Sequence, residues 1–498
     1  MASQQAGLER NAIGLTEVLF QSITHMAPAV AVALSIGFAT GLAGGLTPLA
    51  VVLALIAVLF TAYAIGELAR HLPSAGGMYT YVGRGIGSLA GWLMAWAFLL
   101  AEPIVPPVLF AAFGFYGAAL LNELFGISNE FLWVPLALLC AAIVWFLTYR
   151  GISVSTRTGV VLGAIEIAIF LVVSVLLVVN AGGDNTLSVF VPGDEGIKPA
   201  LQGMVFCLLA FVGFEAAAPL AEETRDPKRT IRQAVLWSAI LIGLFYVFCY
   251  YAATVFFGPD KMTDFITAND GNPWGGMAKE VLPGIGSLLV TFAILNSCLA
   301  NANSGANAST RAIFALGRSR LIPAAFGVVH PTHRTPVNAV HFQAILGIVV
   351  AVGLSLWLGS AYPDTPGPLN TYFFLGYALG LLFAGMYIAV NVACIGYFLR
   401  DGRAEFNVLK HVVVPVLGVV AMIPAFISVV GGVTIPVIDL ELAALAEPYA
   451  WVPPLVAIWM IVGIVIGMVL RARKPEALGT VGLAMGETEG DMAAAPSP

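Results

Sequence analysis

Four ionisable side chains stand inside long apolar runs of this 498-residue sequence: Glu102, Glu166, Glu215 and His25. A carboxyl group in hydrocarbon costs several kcal/mol unless it faces a partner, a cavity or a proton. Nine residues separate Glu166 from Arg157, about 13 Å of helix, and Glu102 and Glu215 lie farther still from any Lys or Arg in sequence. The chemistry open to them is cation binding and proton exchange. Glu215 suits the ammonium group of a small substrate, or else a structural hydrogen bond to unwound backbone. Glu166 suits proton coupling, sodium coordination with hydroxyls of a later helix, or a packing hydrogen bond. Glu102, just before Pro103, adds negative potential to a pocket or faces the bundle with a bound water. The imidazole of His25 titrates near pH 6.5 when unperturbed, which fits a proton relay or a substrate contact as well as a hydrogen-bonded core residue.

Two interrupted helices must place these groups. The first carries Ser22, Thr24, His25, Met26 and Ala27 directly before Pro28. Proline inside a helix removes a hydrogen bond and clashes with the carbonyl four residues back. The second carries Phe211, Gly213, Phe214 and Glu215 upstream of Pro219, and ends in the charged stretch from Glu222 to Arg232. Free backbone groups at membrane depth are tolerated only where they line a protein-enclosed site. These residues are therefore the substrate-binding candidates, together with Glu102. Phe211 and Phe214 flank the second break as gate or as core packing; Tyr377 and Tyr387 are weaker gate candidates. A later run from Asn296 to Ser309 is rich in Asn and Ser. Within it Ser297, Asn301 and Ser304 share one helical face, and with Glu166 and His25 they are the candidates for ion or proton coupling, the alternative being interhelical hydrogen bonding.

Composition fixes the class. Hydrophobic residues make up 59% and charged residues 10% of the chain, with a mean hydropathy of +0.92; soluble domains carry about 25% charged residues. An all-α polytopic membrane protein follows. Apolar runs of about 20 residues predict twelve spans, near 15–42, 46–69, 87–121, 131–149, 158–181, 199–220, 233–257, 285–312, 338–359, 370–399, 412–431 and 450–470. With a cytoplasmic N-terminus, only Lys198, Lys261 and Lys279 of the 22 basic residues fall on the outer face, so both termini are expected inside. The breaks lie five spans apart, and five is odd, so the second five-helix unit enters the membrane inverted. The units read as a cytoplasmic tail (1–14), a first repeat (15–181), an inverted second repeat (199–399), two further helices (412–470) and a disordered cytoplasmic tail (475–498). A short interfacial helix is expected between Arg311 and Pro336. The five cysteines have no metal spacing, and no cofactor, enzymatic triad or nucleic-acid surface is predicted. Gly83–Gly87 superficially suggests a nucleotide loop but lacks a βαβ context.

The residues from Glu67 to Tyr81 (ELARHLPSAGGMYTY), Gly91-Trp92, Phe211 to Glu215 with Ala221 to Thr224 and Asp226-Pro227, Arg311 to Arg318 (RAIFALGR) and Thr335-Pro336 together resemble the amino acid–polyamine–organocation (APC) superfamily. The resemblance implies a LeuT-like five-plus-five fold with discontinuous helices 1 and 6, and alternating access driven by an ion gradient. It further implies a proton- or sodium-coupled permease in the cytoplasmic membrane and a small-molecule substrate. It places Glu166 where some proton-coupled members carry a lysine in lieu of sodium. Many amino acid carriers of the superfamily have Gly-x-Gly in the first break to hold the α-carboxylate; Thr24-His25-Met26-Ala27-Pro28 lacks it. An amino acid is the expected substrate, with a polyamine or another organic cation as the alternative. A channel or receptor is the competing class, and it does not explain paired breaks around a central acid.

Overall fold

Proline and left-handed turns decide where the helices stop. The computed structural model describes residues 8–193, 196–435, 440–442 and 445–482. Helix α1 (Leu15–His25) ends at Met26, Ala27 turns left-handed at φ 47°, and Pro28 opens α2 (Pro28–Val30). Proline is at home there because the first turn leaves its N–H positions unpaired anyway. A π turn (Ala31–Ser35) leads into α3 (Gly37–Ala43). There follow α4 (Thr47–His71), α5 (Met78–Gly85), α6 (Ser88–Phe125), α7 (Trp133–Arg150) and α8 (Ile152–Ala181). The next helix, α9 (Lys198–Leu209), stops early; residues 210–217 form turns around Gly213, whose φ is 118°, and a 3-10 segment (Ala218–Glu223) follows.

The chain continues through α10 (Pro227–Phe257), the short α11 (Ala268–Gly271) and α12 (Pro273–Val281), and then α13 (Gly286–Arg318). After it come α14 (Val337–Ala361), α15 (Gly367–Arg400) and α16 (Val414–Val430). A two-stranded antiparallel hairpin, β1 (Val433–Ile435) and β2 (Leu440–Leu442), precedes α17 (Val452–Arg473) and α18 (Pro475–Gly479).

Among the described residues, ten helical segments are long and apolar enough to cross a membrane. Two of the expected spans are not among them, for physical reasons. Helix α9 has 12 residues because the chain leaves helical geometry at the second break. Helix α13 has 33 residues, but its Asn and Ser side chains dilute its hydropathy. Two other expectations change. Between Arg311 and Pro336 no separate helix begins: α13 runs to Arg318, and only a 3-10 turn (Ala324–Gly327) follows. Residues 475–482 are not disordered but form helical turns that bury Leu478 and Val481; the remainder of that tail lies outside the described residues.

Helix α13 is the axis of the bundle, packed on α6, α8 and α1 and buried along most of its length. At the periphery α17 is clamped to α6 by a reciprocal pair. The indole of Trp96 donates to the Trp459 carbonyl (2.8 Å), that of Trp459 donates to the Trp96 carbonyl (3.0 Å), and the rings stack.

A buried ion pair ties α13 to the 3-10 segment that follows the second break. Arg311, 0% exposed, donates two bonds to Glu223, 1% exposed, at 2.9 and 3.2 Å, and a third to Thr310 at 3.1 Å. The segment before α1 lies along the same place, with Ala12 N–H on the Glu223 carbonyl (2.8 Å) and Arg225 N–H on the Ile13 carbonyl (2.9 Å). A buried ion pair gains little over an apolar pair of equal volume, but removing one member leaves an uncompensated charge. Glu223→Gln and Arg311→Met are therefore each expected to destabilise the protein by about 3–5 kcal/mol. Chemical or thermal denaturation in detergent reads this, and an Arg311→Met/Glu223→Met double variant recovers much of the loss.

Candidate functional site

Both interrupted stretches come to one point. The hydroxyl of Tyr246, on α10, lies 2.9 Å from the Met26 carbonyl at the first break and 3.1 Å from the Ala210 carbonyl at the second. Gly213 packs so closely on His25 that a Cβ there would overlap the His25 backbone and ring. Ser22 Oγ accepts the Ala217 N–H at 3.1 Å. Carbonyls and amides released by each break are thus partnered by the other break or by a side chain from a neighbouring helix, as burial requires.

Beside this junction is a chamber of about 130 Å³ lined by His25, Met26, Ala27, Asn301, Val212 and Tyr372, among others, from both breaks and from α6, α13 and α15. Its surface is largely apolar. His25 has no hydrogen-bond partner at either ring nitrogen, and Glu102 has none at either oxygen; the two approach at 3.8 Å, Nε2 to Oε2. Glu215 Oε2 accepts from the Tyr387 hydroxyl (2.6 Å) and the Gly213 N–H (3.2 Å), while its Oε1 is unpartnered. Neither Glu102 nor Glu215 lines the chamber; Glu102 lies behind His25, which does.

Glu166, on α8, reaches the restart of the first broken helix. Its Oε2 accepts the Ala29 N–H at 3.1 Å, and Ser297 Oγ accepts the Val30 N–H at 3.4 Å. Ser304 donates to the Gln21 carbonyl (2.6 Å) and its own carbonyl accepts from Gln21 Nε2 (2.9 Å). Ser297, Asn301 and Ser304 thus all face the first broken helix or the chamber beside it.

These contacts group the candidate residues. His25, Met26, Ala27 and Asn301 line the chamber; Glu102, Glu166, Gly213, Glu215 and Ser297 support it. Four others are turned to packing or to local bonds. Thr24 donates to its own helix at the Phe20 carbonyl (2.7 Å), and Ser22 is bonded to Ala217. Phe211 packs edge-on to Tyr246 and Phe214 against Tyr387, both fully buried. The aromatic walls are instead Phe38, Phe206, Tyr372, Phe373 and Tyr377. Tyr246 and Gln21 were not singled out by sequence. Among the described residues no group of three His, Cys, Asp or Glu side chains could hold a metal ion.

The family model described as amino acid permease matches residues 13–470. The chain belongs to the amino acid permease family. It is a multi-pass membrane transporter, not an enzyme by family. This permease is 29% identical over 328 residues to the low-affinity putrescine importer PlaP of Escherichia coli (strain K12), covering 63% of this chain and 68% of that one. It is 24% identical over 328 residues to the branched-chain amino acid permease BcaP of Bacillus subtilis (strain 168), with 60% and 66% covered. Over 304 residues it is 25% identical to the serine/threonine exchanger SteT of the same organism, with 59% and 66% covered.

Removing the hydroxyl that bridges the breaks leaves buried carbonyls short of a donor. In this permease Tyr246→Phe is expected to lower stability by about 1–3 kcal/mol, read as a reduced melting temperature. An unchanged melting temperature contradicts the bridging role.

Proposed function

We propose that this permease is a secondary active transporter in the cytoplasmic membrane, with both termini inside, and that it carries a small molecule bearing an ammonium group: an amino acid or an amine. The observation that carries the reading is the junction of two broken helices at a chamber backed by unpartnered carboxyl groups. Broken helices at matching places of two halves are how such carriers build a site near mid-membrane. In this reading the chain makes twelve traversals as a five-plus-five inverted repeat followed by two helices, α9 with its 3-10 segment and α13 being the traversals that hydropathy alone misses. Transport proceeds by rocking of helices 1, 2, 6 and 7 against 3, 4, 5, 8, 9 and 10 in that count. In this reading the buried Arg311–Glu223 pair belongs to the gate at one end of the pathway.

Coupling is to protons, through Glu166. A carboxylate on the N-terminal end of a half-helix is favoured by the helix dipole. Protonation weakens that attachment, so proton occupancy and the position of the first broken helix are linked. Ser297 and Ser304 join the same helix to α13, Asn301 lines the chamber between them, and His25 with Glu102 offers a second proton site beside the chamber. An amine as substrate is the second reading. It is favoured by the similarity to a putrescine importer and by the Glu166 contact at Ala29.

In proteoliposomes Glu166→Gln is expected to abolish accumulation driven by an inward proton gradient while substrate exchange persists; an unaltered response to the gradient rejects the coupling role. Glu215→Gln is expected to weaken binding of ammonium-bearing ligands roughly tenfold, as measured by ligand-induced thermal shift. Wild-type affinity would remove Glu215 from the site.

A further inference from the structure

We propose that Glu166 is a specificity residue that fills the anion position of the chamber with the protein's own carboxylate, so that the substrate is an organic ammonium ion without a free carboxylate. The inference rests on the transporter reading and narrows its substrate class.

The start of a helix is the natural seat for an anion, because its first N–H groups have no partner within the helix and its dipole favours negative charge. In the restarted first helix every early donor is already used. Pro28 has no N–H. The Ala29 N–H donates to Glu166 Oε2 at 3.1 Å, the Val30 N–H to Ser297 Oγ at 3.4 Å, and the Ala31 N–H to the Ala27 carbonyl at 2.7 Å. A substrate carboxylate finds no free amide there. No Lys or Arg is among the described residues that line the chamber, so no cation replaces the lost seat.

The remaining polar inventory points the same way. Behind the lining, both oxygens of Glu102, Oε1 of Glu166 and Oε1 of Glu215 are buried with no hydrogen-bond partner. Against these acceptors, the donors that the described lining residues bring without a partner are a ring N–H of the buried His25, the amide of Asn301 and the hydroxyl of Tyr377. The donors are neutral and no cation accompanies them, whereas an ammonium group beside His25 and Asn301 brings a positive charge and three donors next to Glu102, 3.8 Å from His25. A carboxylate in the same place would find only neutral donors and no cation to compensate its buried charge, which is the costly case. Val30, Val105, Val108, Leu109 and Phe206 leave the rest of the chamber apolar, suited to an alkyl chain.

The test compares amines with the amino acids that share their carbon chain, on the purified full-length protein: putrescine with ornithine, cadaverine with lysine, isoamylamine with leucine. In thermal shift and in proteoliposome counterflow, the amine of each pair is expected to bind at least about tenfold tighter. An amino acid that binds as well as its amine, or better, overturns the inference and leaves the transporter reading intact. If no amine and no amino acid binds or exchanges, the transporter reading fails with it. Glu166→Ala frees the Ala29 amide and is expected to erase most of the amine preference, whereas Glu166→Gln, whose oxygen still accepts the Ala29 bond without the charge that the helix dipole favours, is expected to reduce it less. A preference unchanged in Glu166→Ala contradicts the role assigned to Glu166. Should that variant not fold, Glu166→Ser, too short to reach Ala29, serves the same comparison.

Discussion

The Tyr246 hydroxyl, shared between the carbonyls of Met26 and Ala210, is the contact on which the rest of the structure depends. A helix that stops inside a hydrophobic bundle exposes amides and carbonyls, and without water each needs a protein partner. Here the two interrupted helices meet those needs jointly. Tyr246 joins their carbonyls, Ser22 takes the Ala217 amide, and Gly213 brings one backbone against the other where any side chain would overlap His25. Such a junction can exist only if both breaks are present, and it holds the chamber walls at fixed positions without filling the space between them.

Charge is then arranged in two tiers around that junction. Beside the segment before α1, Arg311 and Glu223 neutralise one another while fully buried, and that segment is stitched to the same place by the Ala12 and Arg225 amides. Nearer the chamber the carboxyl groups have no cation at all: Glu102 meets only His25, at 3.8 Å, and Glu215 is held by Tyr387 and its own neighbouring amide. The first tier is satisfied internally. The second is not: both oxygens of Glu102 and Oε1 of Glu215 have no hydrogen-bond partner, and the proposed function rests on that difference.

Much of this was legible in the sequence because proline and buried charge are local signals. Pro28 cannot continue the hydrogen-bond ladder whatever surrounds it, and a glutamate such as Glu166 or Glu215 in an apolar run needs a partner wherever the run is placed. The polar face of α13 was legible from spacing alone: Ser297 and Ser304 bond the first broken helix and Asn301 lines the chamber beside it. Direction across the bundle was not legible. Tyr246 sits among other aromatics in an apolar helix, and nothing in its neighbours says that its hydroxyl points at two carbonyls. Thr24 was singled out by its hydroxyl, yet a threonine in a helix can donate to its own turn, and here it does so at Phe20. Phe211 and Phe214 flank the break in sequence but pack away from the chamber, since the turns around Gly213 rotate them towards Tyr246 and Tyr387. The turns at 475–482 were hidden by a composition low in apolar residues, which says nothing about the burial of single side chains such as Leu478 and Val481.

Protection of an engineered cysteine at the chamber wall tests the central claim most directly. The five native cysteines are all buried thiols, and a background without them allows a single cysteine to be introduced at Val212, which lines the chamber from the second break. Labelling by a small maleimide is expected to slow severalfold when a transported amine or amino acid is present. A labelling rate indifferent to every transported substrate would show that the space between the broken helices is not where substrate sits.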